Sequence, residues 1–268
     1  MKKILVIGAS GDIGIEVTKN LLNLGHNVVG TYNSTIRDFT HSNLKWISMD
    51  LTSDQSIEKS LPTDTEFNVI IFAAGVYTIG PLLSHSVSEL AKVHRINVLS
   101  LIKILQLLLP TMISAKSRLI VISSDSSIFP FEDEGLYCAS KASLHMSTEI
   151  LRLELSKYGI SVIDVILGIV ATRIIERPYR ELSSSKRENV RVFGDHLEGL
   201  MNSEHKVQKI VSAGKEKKRV AEALAQLALI GNPRNVYSIL SKDEKENLDT
   251  YLLMKLDQIT KNEVILGD

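Results

Sequence analysis

A chain of 268 residues is long enough for one large domain or two small ones, and its 31 Lys plus Arg balance 31 Asp plus Glu. With no net charge there is no electrostatic reason to seek a phosphate backbone or an anionic lipid surface, so neither nucleic acid nor membrane is an expected partner. The 44% hydrophobic and 23% charged residues exclude disorder, collagen and coiled coil, and a single cysteine, Cys138, excludes an internal disulfide and points to a cytoplasmic setting.

The start, Met1-Lys2-Lys3 then Ile4 to Ile7, imitates a signal peptide, but the apolar run ends at Gly8 and meets Asp12 soon after. It reads as a buried strand, Lys3-Ile7. Further short apolar runs follow at Asn27-Thr31, Lys45-Met49, Asn68-Phe72, Arg118-Ser123 and Ser161-Leu167, apolar throughout as in strands covered on both faces. Segments of helical period lie between them, near Ile13-Leu24, Ser53-Leu61, Ser86-Thr111 and Leu136-Tyr158. Within the third, Leu99 to Ile113 carries Lys103, Gln106 and Pro110, so it falls short of the roughly 18 to 20 apolar residues of a membrane span and reads as a core helix. This alternation predicts an α/β fold, a doubly wound Rossmann-type parallel sheet in three αβα layers.

After Thr172 the texture changes. Arg173 to Lys218 is charged, with Leu182, Val190, Phe193, Leu197, Leu200 and Val207 spaced as one helical face, and residues 173–218 read as a substrate-side lid insertion. A helix follows at Arg219-Ile230, stopped by Gly231-Asn232-Pro233, then a last strand at Asn235-Leu240. The tail, 241–268, has a helical pattern in Leu248, Tyr251, Leu252, Leu256 and Ile259, suited to packing on the body or on a partner chain. There is no internal repeat, low-complexity tract or linker, so 1–268 is expected to be one domain.

Directly after the first strand comes Gly8-Ala9-Ser10-Gly11-Asp12-Ile13-Gly14, leading into a helix. Small residues there let the backbone turn tightly and approach a pyrophosphate, and a helix N-terminus offers free amides and partial positive charge. The second strand then ends in Thr31-Tyr32-Asn33-Ser34-Thr35-Ile36-Arg37, with no acid before Asp38. A carboxylate at that place selects NAD by accepting from both ribose hydroxyls; amide, hydroxyl and guanidinium groups instead suit a 2′-phosphate. Asn33, Ser34 and Arg37 therefore favour NADP(H), with NAD(H) still possible.

Ser124, at a strand's carboxyl end, is followed thirteen residues later by Tyr137 and four further on by Lys141. Positions four apart share a helix face, so phenol and ammonium can approach one ligand. A positive neighbour lowers a tyrosine pKa from about 10, and the serine can hydrogen-bond a substrate oxygen.

Taken with Met49-Asp50-Leu51, Ala73-Ala74-Gly75, Asn97 and Gly168 to Thr172, all in order, the sequence resembles the short-chain dehydrogenase/reductase family over residues 1 to about 240, nearest its classical branch but with an atypical glycine turn. The resemblance implies that Tyr137 is the general acid in carbonyl reduction and the base in the reverse direction. It implies that Lys141 lowers the Tyr137 pKa and bonds the nicotinamide ribose, that Ser124 polarises the carbonyl, and that Asn97 holds a water in a proton relay. Gly8, Ser10, Gly11, Asp12, Ile13 and Gly14 would take the dinucleotide phosphates, Asp50 the adenine amino group and Leu51 an adjacent backbone contact. Ala73, Ala74 and Gly75 would line the cofactor, and Gly168, Val170 and Thr172 would meet the carboxamide. Homodimers or homotetramers through the helices near 86–111 and 136–158 are implied too. The expected activity is hydride transfer between NADP(H) and a ketone or secondary alcohol. Its alternatives are an NAD-dependent alcohol oxidation in a biosynthetic pathway, a non-catalytic NADP(H)-binding scaffold, and, on the glycine spacing, an epimerase or dehydratase of the extended branch.

The departures are Ile7 where a threonine usually precedes the turn, the missing basic residue inside it, and Leu167-Gly168 in place of Pro-Gly. His196 and His205 have no metal-ligand spacing, Cys138 has no partnered base, and Lys215, Lys217, Lys218 and Arg219 read as a solvated helix start. No metal is expected. Tyr77, Phe129, Phe131, Tyr179 and Phe193 are candidates for an apolar substrate wall.

Overall fold

β-Branched and leucine-rich runs that bury both faces need helices above and below, and the chain arranges them so. The structure, a computed structural model, describes residues 1–174 and 214–261 together with Phe193, Gly194, His196, Gly199 and Ser212. Most of the expected 173–218 insertion, Tyr179 and His205 among it, lies outside the described residues, as do 262–268 and the side chains of Leu256 and Ile259.

Seven strands form one parallel sheet: β1 (Lys3–Ile7), β2 (Asn27–Tyr32), β3 (Leu44–Ser48), β4 (Val69–Phe72), β5 (Arg118–Ile122), β6 (Ser161–Leu167) and β7 (Val236–Ile239), in the order β3-β2-β1-β4-β5-β6-β7. Every expected strand is present within a residue or two of its expected ends. Around the sheet lie α1 (Asp12–Asn23), α2 (Asp54–Ser60), α3 (Val87–His94), α4 (Ser100–Ala115), α5 (Gly135–Ser156), α6 (Lys217–Leu229) and α7 (Lys242–Lys261).

Alternation along each strand divides the core in two. Ile4 and Val6 of β1 face the layer of Val17, Leu21, Val220 and Leu224 from α1 and α6. Leu5 and Ile7 face Leu101, Ile104, Leu108 and Leu144 from α4 and α5. The sheet order reverses at β1, which is hydrogen-bonded to both β2 and β4, so a crevice opens beyond the carboxyl ends of β1 and β4.

The helix expected over Ser86-Thr111 is broken in register. A π turn at Arg95–Leu99 joins α3 to α4, and it carries Asn97. The longer run Val87–Ala115, of which the expected Leu99 to Ile113 core helix is a part, is by length and composition the one stretch among the described residues long and apolar enough to cross a membrane. In this fold its apolar face, Leu101, Ile104, Leu105, Leu108 and Met112, covers the sheet. The tail helix α7 packs on the body, with Leu248 buried and Tyr251 stacked on Phe129 at 4.9 Å between centroids.

Candidate active site

Two of the three turn glycines are required by the protein itself. Gly8 has φ +82°, and a Cβ there would lie 2.7 Å from the Cα of Ala74; a Cβ on Gly14 would lie 2.2 Å from the Gly8 carbonyl oxygen. Gly11 is exposed and would meet only the Gly8 oxygen, at 3.2 Å. It is the glycine whose small size faces outward. α1 begins at Asp12 with Gly11 as cap residue and no side-chain cap, which leaves its first-turn amides directed at the crevice. Thr31 anchors the turn: its Oγ1 accepts from the Gly8 amide at 2.9 Å. Sequence reading missed this threonine, because it reads as one more strand residue.

On the adenosine side, Asn33 and Ser34 are exposed on the loop after β2. Arg37 does not stand free for a 2′-phosphate as expected: its Nε donates to the Ser10 carbonyl at 2.7 Å and its Nη2 to Asp12 Oδ1 at 2.8 Å. Arg173 reaches the same Asp12 carboxylate from the loop after β6, through its amide at 2.8 Å and its Nη2 at 2.9 Å. Burial works against the Asp12 charge, but the Arg173 hydrogen bonds and charge prevail and hold its carboxyl at about 2. Asp12 is thus a bracket for two guanidiniums that leave the turn net positive. Asp50 turns its Oδ1 to the amide and hydroxyl of Thr52, at 2.9 and 2.7 Å, and Leu51 packs against the α4-α5 layer.

The catalytic candidates gather at the carboxyl ends of β4 and β5. Ala73, Ala74, Gly75, Ser124, Tyr137, Lys141, Gly168, Val170 and Thr172 line one cavity of about 390 Å³, with Ile13 at its edge. Ser124 lies within hydrogen-bonding reach of the Tyr137 phenol, and the Tyr137 ring packs edge-on against Tyr77 at 4.9 Å between centroids. Lys141 Nζ stands 5.8 Å from the Tyr137 ring centroid and donates to the Ile122 carbonyl at 3.0 Å.

The electrostatics differ from what the resemblance implies. Burial pushes the Tyr137 phenol well above its usual range; the Ser124 hydrogen bond opposes this, while Glu134 and Asp125 add to it. Burial pushes the Lys141 ammonium down to about 8, against the pull of Asp164. Burial thus favours the protonated, donor form of the phenol.

Asn97, fully buried, is consumed by the protein. Its Oδ1 accepts from the Val76 amide at 2.8 Å, and its Nδ2 donates to the Val76 carbonyl and to Ser140 Oγ at 3.0 and 2.9 Å. It ties the end of β4 to α5 directly behind Gly75, where a Cβ would lie 3.5 Å from Asn97 Oδ1 and 3.8 Å from Lys141 Nζ. Its side chain is a brace, and the expected water contact is not a side-chain one.

Sequence reading also missed two carboxylates in the cavity wall. Asp125 Oδ1 accepts from Ser124 Oγ and the Ser126 amide at 3.0 and 2.8 Å, and Glu134 bonds Tyr77 and Ser126. Burial raises both above the usual carboxylate range, partly offset by those hydrogen bonds. Their one sequence signal was adjacency, Asp125 following Ser124 and Glu134 lying one helical turn before Tyr137. Of the aromatic candidates, Tyr77 and Phe131 line the cavity, while Phe129 packs between Phe131 and Tyr251. Cys138 accepts from the Phe131 amide, and burial raises its thiol pKa, which makes it a packing residue. His196 pairs with Asp133 at 2.8 Å, and among the described residues no cluster is suited to a metal.

A family model described as short chain dehydrogenase matches residues 2–181. The short-chain dehydrogenase cctT of Talaromyces islandicus is 31% identical over 181 residues, 64% of this chain and 64% of that protein, so the match spans just under two-thirds of that relative's length. The NADPH-dependent 1-acyldihydroxyacetone phosphate reductase of Schizosaccharomyces pombe is 24% identical over 219 residues, 79% of this chain and 74% of its own. Among solved structures, a short-chain dehydrogenase from Streptomyces avermitilis superposes with a TM-score of 0.77 at 21% identity, covering 97% of this chain and 95% of that one. One from Burkholderia cenocepacia, in complex with NADP, gives 0.74 at 14% identity, covering 100% and 98%.

Proposed function

The chain belongs to the short-chain dehydrogenase family, and on that premise we propose that it is an NADP(H)-dependent oxidoreductase interconverting a ketone and a secondary alcohol, with Tyr137 as the proton donor and acceptor. The observation that carries this reading is the convergence of Ser124, Tyr137 and Lys141 on one cavity at the carboxyl end of the sheet, next to an uncapped helix N-terminus.

The residues present fit a dinucleotide: exposed Gly11 permits close approach, and the first-turn amides of α1 with the Arg37 and Arg173 guanidiniums suit its phosphates. Three features favour NADP(H). No acid stands at the end of β2, the relative from Schizosaccharomyces pombe is named as NADPH-dependent, and the Burkholderia cenocepacia structure holds NADP.

When bound, the nicotinamide supplies the hydride to, or accepts it from, the substrate carbon. Ser124 Oγ turns from Asp125 to the carbonyl oxygen and polarises it. Tyr137 Oη, protonated at neutral pH, gives its proton to that oxygen in reduction and removes it in oxidation. Lys141, charged below about pH 8, offsets the phenolate that is left. Gly75 and the Asn97 brace fix the wall behind these groups. We also propose a homo-oligomer, supported by the exposed Met146, Ile150 and Leu153 along α5.

Fluorescence titration of the purified protein with NADPH and, separately, NADH tests the cofactor reading. Micromolar NADPH binding with much weaker NADH binding supports it; NADH preference overturns the 2′-phosphate argument, and binding of neither overturns the enzyme reading.

A further inference from the structure

The segment after β6, Gly168 to Thr172, lines the cavity on one side, and on its other side it is held by residues from beyond position 214. Glu244, in the first turn of α7, places Oε1 at 2.7 Å from the Ile169 amide. Its Oε2 accepts from Lys215 Nζ at 2.5 Å and from the Ser241 amide. Lys215 continues the grip through its backbone, donating to the Ile169 carbonyl at 3.1 Å and accepting from the Ala171 amide at 3.0 Å. The Gly168 amide bonds the Ile239 carbonyl at 3.2 Å.

Gly168 belongs to the same arrangement. A Cβ on it would lie 2.3 to 2.4 Å from all three atoms of the Glu244 carboxyl group. A carboxylate at the end of a free side chain would swing away, but this one is pinned by three donors, so its place depends on the missing Cβ. The glycine that the sequence reading assigned to a carboxamide contact is required here by a protein carboxylate.

We propose that Glu244 is a positioning residue of the dinucleotide site: with Lys215 it clamps the Gly168 to Thr172 segment from behind and holds its cavity face in the conformation that receives the nicotinamide end. The inference rests on the cofactor reading above. It makes the tail helix, for which sequence reading offered only packing, part of the apparatus that binds cofactor, and it couples Glu244 to Tyr251, two turns further along α7, where the ring closes on Phe129 beside the cavity.

Four variants test it: Glu244→Ala, Glu244→Gln, which keeps an acceptor for the Ile169 amide, Gly168→Ala, and the double variant of Gly168→Ala with Glu244→Ala. Glu244→Ala is expected to raise the NADPH Kd and KM about tenfold or more, with kcat falling less and the melting temperature within a few degrees of wild type. Glu244→Gln is expected to restore the Kd to within about threefold of wild type. Gly168→Ala weakens NADPH binding in the wild-type background and adds little on top of Glu244→Ala, because the group it strikes is gone.

Wild-type NADPH affinity in Glu244→Ala overturns the proposal, as does a Gly168→Ala effect of equal size in both backgrounds. Amide hydrogen exchange of Ile169 and Ala171 in the ligand-free protein separates this from the cofactor reading. If wild type binds no dinucleotide, that reading fails, and the clamp fails with it only if Glu244→Ala leaves those two exchange rates unchanged; an increase of about tenfold supports the clamp.

Discussion

Lys141 points its ammonium into the sheet, donating to the Ile122 carbonyl oxygen at 3.0 Å from inside the α5 layer. That position costs the native state, because burial lowers the group from 10.5 to about 8. At about 1.4 kcal/mol per pKa unit the penalty at neutral pH is on the order of 3 kcal/mol, offset in part by a hydrogen bond contributing about 1. Lys141→Met should therefore lose turnover and yet melt a few degrees higher than wild type at pH 7. Between pH 8 and 10.5 the unfolded chain holds a proton that the native chain has released, so wild-type stability rises through that window. The advantage of the variant should shrink accordingly, as calorimetry at pH 7, 9 and 10.5 would show. A variant that melts lower at pH 7, with no such trend, contradicts the assignment.

The three turn glycines should separate fold from ligand. Gly14→Ala and Gly8→Ala force a Cβ onto the Gly8 oxygen and the Ala74 backbone, so both should lower the melting temperature by about 5 °C or more. Gly11→Ala should melt within about 2 °C of wild type while its dinucleotide Kd rises about tenfold. Equal melting losses at all three positions would show that Gly11 serves the fold as well.

Arg37 and Arg173 share the Asp12 carboxylate, and Arg37 is the one beside the end of β2. With its guanidinium held on Ser10 and Asp12, Arg37 braces the glycine turn, so Arg37→Ala should weaken NADPH and NADH binding by similar factors of about tenfold. A loss confined to NADPH would instead place Arg37 at the 2′-phosphate. Because Asp12 is held at about 2 in the native state, its contribution to stability is complete above pH 4 and is lost as pH falls from 4 toward 2. Arg173→Ala should flatten that limb of an acid-melting curve.

Asp125 and Glu134 put two hydrogen-bonded carboxylates on the cavity wall beside Tyr137, against one buried cation, Lys141. Ketones carrying a carboxylate or phosphate within two bonds of the carbonyl should show KM values at least tenfold above those of neutral isosteres. Glu134→Gln should narrow that gap. An anionic ketone as the best substrate in a steady-state panel would contradict this reading of the wall.

The parts of this molecule set by local pattern were legible in the sequence. The seven strands follow from short apolar runs separated by segments of helical period, and Ser124, Tyr137 and Lys141 follow from one helix face meeting one strand end. What depends on contacts between distant segments was not. Glu244 and Lys215 reach the segment after β6 from far along the chain, and no periodicity announces a carboxylate in the first turn of a tail helix as a clamp. Arg37 illustrates the other limit: its residue type suits a phosphate, but type alone does not show that Asp12 and Ser10 already engage it. The π turn at Arg95–Leu99 was hidden in the same way, because one extra residue in a helix leaves its hydrophobic pattern almost intact while aiming Asn97 inward.

The most direct test of the central claim is Tyr137→Phe, measured for both NADPH affinity and ketone-dependent NADPH oxidation in a single turnover. The phenol Oη is the proton source in this account, while the ring packs against Tyr77 whether or not it bears a hydroxyl. The expected result is a Kd within about threefold of wild type with oxidation slowed at least a thousandfold, in keeping with the scale of general acid catalysis. Oxidation at the wild-type rate with binding intact would contradict it.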